Sequence, residues 1–417
     1  MPSTVAVVGA GWAGLAAAVR ACEAGHHVTL YEMAGQTGGR ARAVEIDGLT
    51  LDNGQHILIG AYTRTLSLMR TVGADIEALL FRLPLTLIYP DGRGLRLRSG
   101  PPLPAFVRAV VGCQGWTWGD RAALLLAASG WALKGFRCNP ALTVADLCAR
   151  LPPRVRELLI DPLCVAALNT PARDASAAVL LRVLRDALFS GPGSADLLLP
   201  RAPLSALLPA PAAAWLLRSG AALQLGTRVQ TLASEGSGWR LGEHRFDAVV
   251  LACSAAEAAR LTQAAAPAWS RRAAALRYEP IVTVYLRQNG ARLPLPMMAL
   301  VEGPQAPAQF AFDHGALGGE AGVFAFVVSG AATWVERGLE ATGAAVLAQA
   351  GSLLPGATLL RTLAEKRATF RCTPALDRPP AAIAPNLVAA GDYVDGPYPA
   401  TLEGAVRSGE LAAARLG

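Results

Sequence analysis

The sequence predicts an α/β protein in which a Rossmann-like dinucleotide-binding domain is assembled from non-contiguous segments and carries a second, α+β domain for substrate. Three observations predict it. Residues 5–42 form a complete βαβ pattern, two short apolar strands recur far along the chain at Phe246–Ala252 and Leu387–Asp392, and alternating apolar stretches lie between them. In the first unit the run Val5–Val8 feeds into Gly9, Gly11 and Gly14, then into an alanine-rich helix that closes at Gly25. The first glycine of this G-x-G-x-x-G pattern permits a tight turn. The second lets the backbone approach a pyrophosphate, and the third lets helix and strand pack closely, with the helix N-terminus facing the phosphates. The next strand, Val28–Tyr31, ends at Glu32, eighteen residues beyond Gly14. Its carboxylate is placed to accept hydrogen bonds from a ribose diol.

Further along, Ala212–Ser219 reads as a helix with Gly220 past its end, and Thr227-Arg228-Val229-Gln230 begins a short strand pattern. The heptapeptide Phe246–Ala252 is continuously apolar after its first two residues, as expected of a parallel strand buried on both faces. The chain returns a last time with Leu387–Asp392. The nucleotide domain is therefore expected to comprise residues 1–75, 212–256 and 381–417, and the substrate domain residues 76–211 and 257–380. Ile281–Leu286 and Val323–Val328 suggest the second domain's sheet. Proline-rich stretches at 101–104, 209–211 and 379–380 are read as breaks at the crossings.

Gly38-Gly39-Arg40, six residues past Glu32, resembles the glycine doublet of flavoproteins in the amine oxidase and carotenoid desaturase superfamily, and makes non-covalent FAD the expected cofactor. Asn386–Asp392 resembles that superfamily's returning strand, which implies that Gly391 and Asp392 meet the pyrophosphate and ribitol. Pro399–Val406 resembles its last helix, whose N-terminus at Thr401 and Leu402 would face the flavin ring and stabilise its anionic reduced form. The resemblance also implies that the backbone at Val229 meets the adenine. Asp52–His56, Ala166–Pro171, Leu198–Arg201 and Glu365–Thr369 are similar to one subfamily, the squalene-associated FAD-dependent desaturases better described as hydroxysqualene dehydroxylases. The similarity runs nearly the whole chain. It departs at Cys253-Ser254, where the family carries prolines.

Composition suits an enzyme handling apolar material. Of 417 residues, 53% are hydrophobic and 17% charged, and the net charge of +7 comes almost entirely from arginine, with Lys134 and Lys366 the only lysines. The charge is spread out, without the basic run interleaved with aromatics that would mark a nucleic-acid partner. Seven cysteines without C-x-x-C spacing read as reduced thiols in a cytoplasmic protein. Cys372 has no context for a covalent flavin, and five histidines lack metal-ligand spacing, so no metal is predicted. No basic residue precedes Arg20, and the apolar start is accounted for as strand, turn and helix rather than a secretory signal. Two readings stand for the segment Phe106–Leu133 with its tryptophans: a face docked peripherally on the inner side of the membrane, or a roof over the substrate cavity.

For chemistry, the resemblance implies that hydroxysqualene loses water and receives a hydride from reduced FAD, giving squalene. An external donor, whether a nicotinamide, a flavodoxin or a ferredoxin, would reload the flavin, and an upstream synthase could hand over the substrate. Departure of hydroxide needs a proton. His56, in a segment that in related flavoproteins passes beside the flavin ring together with Gly54 and Gln55, is the first candidate donor. Lys366 is the second, because a buried lysine can lower its proton affinity whereas arginine cannot. Tyr398 is expected as a wall beside the flavin. An oxidative desaturase, an amine or porphyrinogen oxidase, and a flavin-free prenyl-binding protein remain as alternatives.

Overall fold

The computed structural model describes residues 3–416, so the outermost residues of the expected nucleotide domain lie outside the described range. A six-stranded sheet stands at its centre, in the order Ala222–Gln224, His27–Tyr31, Thr4–Val8, Ala248–Leu251, Leu387–Ala389 and Ala382–Ala384. The first five strands run parallel and the last is antiparallel. Parallel neighbours demand crossovers, which is why strands so distant in sequence lie side by side. The helix Trp12–Glu23 is buried along most of its length, with Ala16, Ala17, Ala18 and Ala21 fully enclosed. Its outer side receives the last helix, Leu402–Ala413. A Cβ on Gly409 would stand 2.1 Å from the Ala13 carbonyl oxygen, so the alanine and glycine content here sets how closely the two helices approach.

Two local expectations differ. Residues 227–230 form no strand: the Thr227 N–H donates to the Glu32 carbonyl, and the Arg260 guanidinium takes the carbonyls of Val229 and Gln230, leaving no ladder. The following strand is Leu232–Glu235, first of a three-stranded antiparallel meander that also takes Phe246, while the parallel strand begins at Ala248. The prolines at 102 and 209 open helices, Pro102–Val111 and Pro209–Arg218, rather than break the chain. A first-turn proline sacrifices an N–H that has no helical partner anyway.

The second sheet is antiparallel, ordered Met297–Ala299, Phe310–Asp313, Val323–Val328, Tyr278–Arg287 and Thr358–Phe370. Its alternating strands are buried on both faces. Val282, Val284, Phe324 and Phe326 pack under the helix Leu339–Ala350, while Tyr285, Phe310, Phe312 and Val327 turn toward the first sheet. A small antiparallel sheet of Leu58–Ile59, Leu197–Pro200 and Leu80–Leu83 bridges the two regions. A helical layer completes the molecule: Pro102–Val111, Trp118–Leu133, a helix over 153–168 with a π turn at Arg156–Ile160, and Ala177–Phe189.

Candidate active site

A cavity of about 610 Å³ opens at the C-terminal ends of the parallel strands, where open α/β sheets place their ligands. Gly9 leaves the first strand at φ +107°, and a Cβ there would stand 2.7 Å from the Ala252 carbonyl oxygen. Gly14 does not line the cavity. A Cβ on it would fall 1.8 Å from the Gly9 carbonyl oxygen, so it fixes how the helix seats against the turn. Gly11 caps that helix in an extended conformation without any side-chain cap, and Gly11, Trp12 and Ala13 border the cavity. The first-turn N–H groups are thus free to meet an anion.

The doublet Gly38-Gly39 crosses directly over this turn. The Gly38 N–H donates to the Ala10 carbonyl at 2.8 Å, and a Cβ on Gly39 would lie 3.1 Å from the Gly11 Cα. Glu32 is nine-tenths buried, one carboxylate oxygen accepting from the Ala10 N–H at 2.8 Å and the other from the Ala34 N–H at 2.9 Å. Each oxygen keeps a lone pair for a ribose diol. Arg40 pairs with Asp392 at 2.6 Å and donates to the Ala368 carbonyl at 2.6 Å, fastening the doublet to the returning strand. Gly391, Asp392, Val229, Gly54 and Gln55 all border the cavity. The Gln55 Oε1 and Tyr393 hydroxyl are shut from solvent without a partner. Thr401 and Leu402 present the last helix's N-terminus to the same space. The Thr401 hydroxyl is spent as that helix's cap, accepting from the Gly404 N–H at 2.9 Å. Two helix N-termini, close glycine backbones and orphaned polar atoms fit a dinucleotide.

Beyond Arg40 the walls become apolar, with Ile57, Val165, Ile281, Phe310, Phe312 and Val327. Asn169 holds this wall together. It ends its helix in the left-handed conformation at φ 46°, donates to the Glu279 carbonyl and the Thr369 hydroxyl, and accepts from the Gly330 N–H at 2.7 Å. Opposite it, the pairing of Tyr278–Arg287 with Thr358–Phe370 slips: Ile281 faces Glu365 but Glu279 faces Thr369. Pro280 has no N–H for the ladder, and the bulge over 366–368 brings Glu365, Arg367, Ala368 and Thr369 to the cavity.

Of the two candidate acids, His56 borders the cavity and Lys366 does not; it is exposed on the bulge. His56 Nδ1 lies 2.7 Å from the Gly54 carbonyl, which can only accept, so the proton sits on Nδ1 and Nε2 is left bare. Burial pushes its pKa below the ordinary histidine value, and the Arg40 charge acts in the same direction, against the Gly54 carbonyl. The neutral ring therefore offers an acceptor, and proton donation requires the imidazolium. Tyr398 is not a cavity wall. It borders a separate cavity of about 180 Å³, with the Arg182 and Arg407 guanidinium groups over its ring at 5.1 and 4.7 Å.

The profile described as "Flavin containing amine oxidoreductase" matches residues 12–417. The chain belongs to that family. As a flavin amine oxidoreductase family member, it is a flavin-dependent oxidoreductase. Among its relatives, "Hydroxysqualene dehydroxylase" from Rhodopseudomonas palustris is 32% identical over 99% of this chain and 98% of its own. "Hydroxysqualene dehydroxylase" from Sinorhizobium fredii is 28% identical over the same shares. In structure, an oxidoreductase from Methanosarcina mazei superposes with TM-score 0.72 at 16% identity, covering 99% of both chains, which speaks for the fold.

Several bordering residues escaped the sequence reading. Tyr62, Tyr278 and Tyr393 reach the cavity from three separate segments, and Glu257, paired with Arg228, guards the edge near Val229. Tyr393 directly follows Asp392 and was legible by position. Tyr278 gives no local signal, since it reaches the cavity through the sheet, where it pairs with Phe370. At the departure from the family, the Ser254 hydroxyl caps the helix Ala255–Thr262, accepting from the Glu257 N–H at 3.4 Å.

Proposed function

We propose that this chain is an FAD-dependent hydroxysqualene dehydroxylase that replaces an allylic hydroxyl with hydride and releases water and squalene. The observation that carries the reading is the apolar wall of Ile57, Val165, Ile281, Phe310, Phe312 and Val327, continuous with the dinucleotide end. Burying a hydrocarbon there contributes about 0.8 kcal/mol per CH₂ and needs no charged anchor. The full-length similarity to two proteins of that name supports the same substrate class. Bound reduced FAD would supply the hydride. The chain's own residues hold the nucleotide at Gly11, Glu32, Gly39 and Asp392, exclude water with the apolar wall, and carry a proton at His56 Nε2 to the departing hydroxyl. The flavin is non-covalent in this reading. Cys253, which borders the cavity, has its thiol pushed up to about 12 by burial and stays protonated, and Cys372 lies away from the cavity. The oxidised flavin left after hydride transfer would be reduced again by a separate donor.

The test is anaerobic: the purified protein is reduced with dithionite and mixed with hydroxysqualene while flavin reoxidation and product mass are followed. Reoxidation with stoichiometric squalene is expected. A flavin that stays reduced with hydroxysqualene, while the oxidised enzyme bleaches with a polyene, would replace this reading by an oxidative desaturase. A colourless protein that binds the isoprenoid would replace it by a flavin-free carrier.

A further inference from the structure

Seven of the fourteen large apolar side chains exposed among the described residues lie on three neighbouring helices of one layer. On Trp118–Leu133, Trp118 is 72% exposed, Leu126 74% and Leu133 90%, and with exposed Ala122 and Ser129 they recur at intervals of four, four, three and four. That spacing is one continuous stripe of an α-helix. The preceding helix, Pro102–Val111, packs beside it and exposes Leu103, Val107 and Val111 at intervals of four. Phe189, at the end of Ala177–Phe189, is half exposed and meets Phe136 edge-on at 5.2 Å, just past Leu133. A patch so rich in large apolar groups marks an interaction surface.

Charge identifies the occupant. From residue 96 to 145 the chain carries Arg96, Arg98, Arg108, Arg121, Lys134 and Arg137 against a single carboxylate, Asp120. Asp120 is buried in the capping box of its own helix with Thr117. None of the six basic groups forms an ion pair among the described residues. Arg108 lies beside Val107, Lys134 follows Leu133, and the Arg121 guanidinium stacks over the Trp118 ring at 4.6 Å. An apolar stripe flanked by unpaired cations and an interfacial tryptophan is matched to an anionic bilayer surface. No helix among the described residues is long and apolar enough to cross a membrane, so the fit is to lying on one.

We propose that the face formed by Pro102–Val111, Trp118–Leu133 and Phe189 docks this protein on an anionic lipid surface, with Trp118, Leu126 and Leu133 entering the acyl boundary and Arg108, Lys134 and Arg137 meeting the headgroups. The helix over 153–168 packs against Trp118–Leu133 and supplies Val165 to the cavity, so the docked layer is the one that walls the apolar site.

It is tested by sedimentation of the full chain, flavin bound, with vesicles of phosphatidylcholine alone or mixed with phosphatidylglycerol, at low and high salt. The wild type is expected to sediment with the mixed vesicles, and less with phosphatidylcholine alone. Leu126→Ser/Leu133→Ser should lower binding about tenfold or more at either salt. Arg108→Ala/Lys134→Ala/Arg137→Ala should lose about tenfold or more on the anionic vesicles at low salt only. Unchanged flavin content and far-UV circular dichroism keep both variants interpretable. The proposal is overturned if the wild type leaves both vesicles unbound, or if the serine variant binds as well as the wild type. A wild-type dimer in sedimentation velocity that the serine pair dissolves would instead assign the face to a second copy of the chain.

Discussion

Glu32 braces the glycine turn through the Ala10 N–H while its remaining lone pairs face the cavity, so its loss removes two kinds of support together. Glu32→Ala is expected to purify colourless, with flavin affinity at least ~100-fold weaker, since hydrogen bonds to a charged acceptor contribute roughly 1.5–3 kcal/mol each. Titration of the apoprotein with FAD checks it, and undiminished affinity would remove the ribose assignment. His56 makes a pH-dependent claim. Its pKa is depressed by burial, so the donating imidazolium is populated only below the ordinary histidine value of 6.5. Wild-type single-turnover rates should therefore climb as pH falls through that region, and His56→Gln should be slower and flat. Asp52 titrates in the opposite sense. Burial, partly offset by the Leu204 N–H at 2.8 Å, raises its pKa to about 7. The folded state binds the proton more tightly than the unfolded chain, so this site's contribution to stability is present in acid and lost as pH rises from about 4 through 7. The stability difference between Asp52→Asn and wild type, from urea melts, should grow in favour of the variant by as much as about 4 kcal/mol between pH 4 and pH 8. A difference independent of pH would refute it.

At the scale of elements, the last helix is held by a carboxylate with no exposure. Glu403 accepts from the Thr65 N–H at 2.9 Å, the Thr65 hydroxyl at 2.7 Å, the Arg64 N–H at 3.1 Å and the Arg407 guanidinium at 2.7 Å. It thereby caps the neighbouring helix Thr63–Thr71, whose own start has no side-chain cap. Glu403→Ala strands those donors and should lower unfolding free energy by about 3–5 kcal/mol, read from urea denaturation. The sequence made the nucleotide half legible because its signals are local: Gly9, Gly11 and Glu32 act within one βαβ unit, and Asp392 and Thr401 within one strand and one helix start. The apolar half of the cavity was less legible. Glu365–Thr369 stood out as a motif, but that it forms a bulge depends on Pro280, far away in sequence and opposite in space. Lys366 was singled out by residue type, and a strand does not announce which side of a bulge reaches the cavity. Tyr398 failed for a related reason, because the left-handed turn at Ala400, φ 57°, lies between it and the helix start that faces the site.

Across the whole molecule, five parallel strands from three distant parts of the chain meet at one cavity, so a dinucleotide held there would touch the first unit, the segment at 227–229, the strand end at 252–253 and the return at 391–392 together. A ligand bound only by the folded state stabilises it by about 2.7 kcal/mol at a concentration one hundred times its dissociation constant. Removing flavin by dialysis against potassium bromide should lower the melting temperature, and re-adding FAD should restore it. An apoprotein melting with the holoprotein would contradict a site shared by these segments. The packing of Leu402–Ala413 against Trp12–Glu23 adds a kinetic consequence. The two partners lie near opposite ends of the described residues, so their contact closes a loop that takes in most of the fold. A nascent polypeptide can build the glycine turn and the Glu32 bracket long before it owns the strand and helix that complete the pocket. Flavin retention would thus report that synthesis has passed Leu387–Ala389 and Leu402–Ala413, and a chain stopped before residue 387 would keep an open sheet edge and lack the helix start at Thr401.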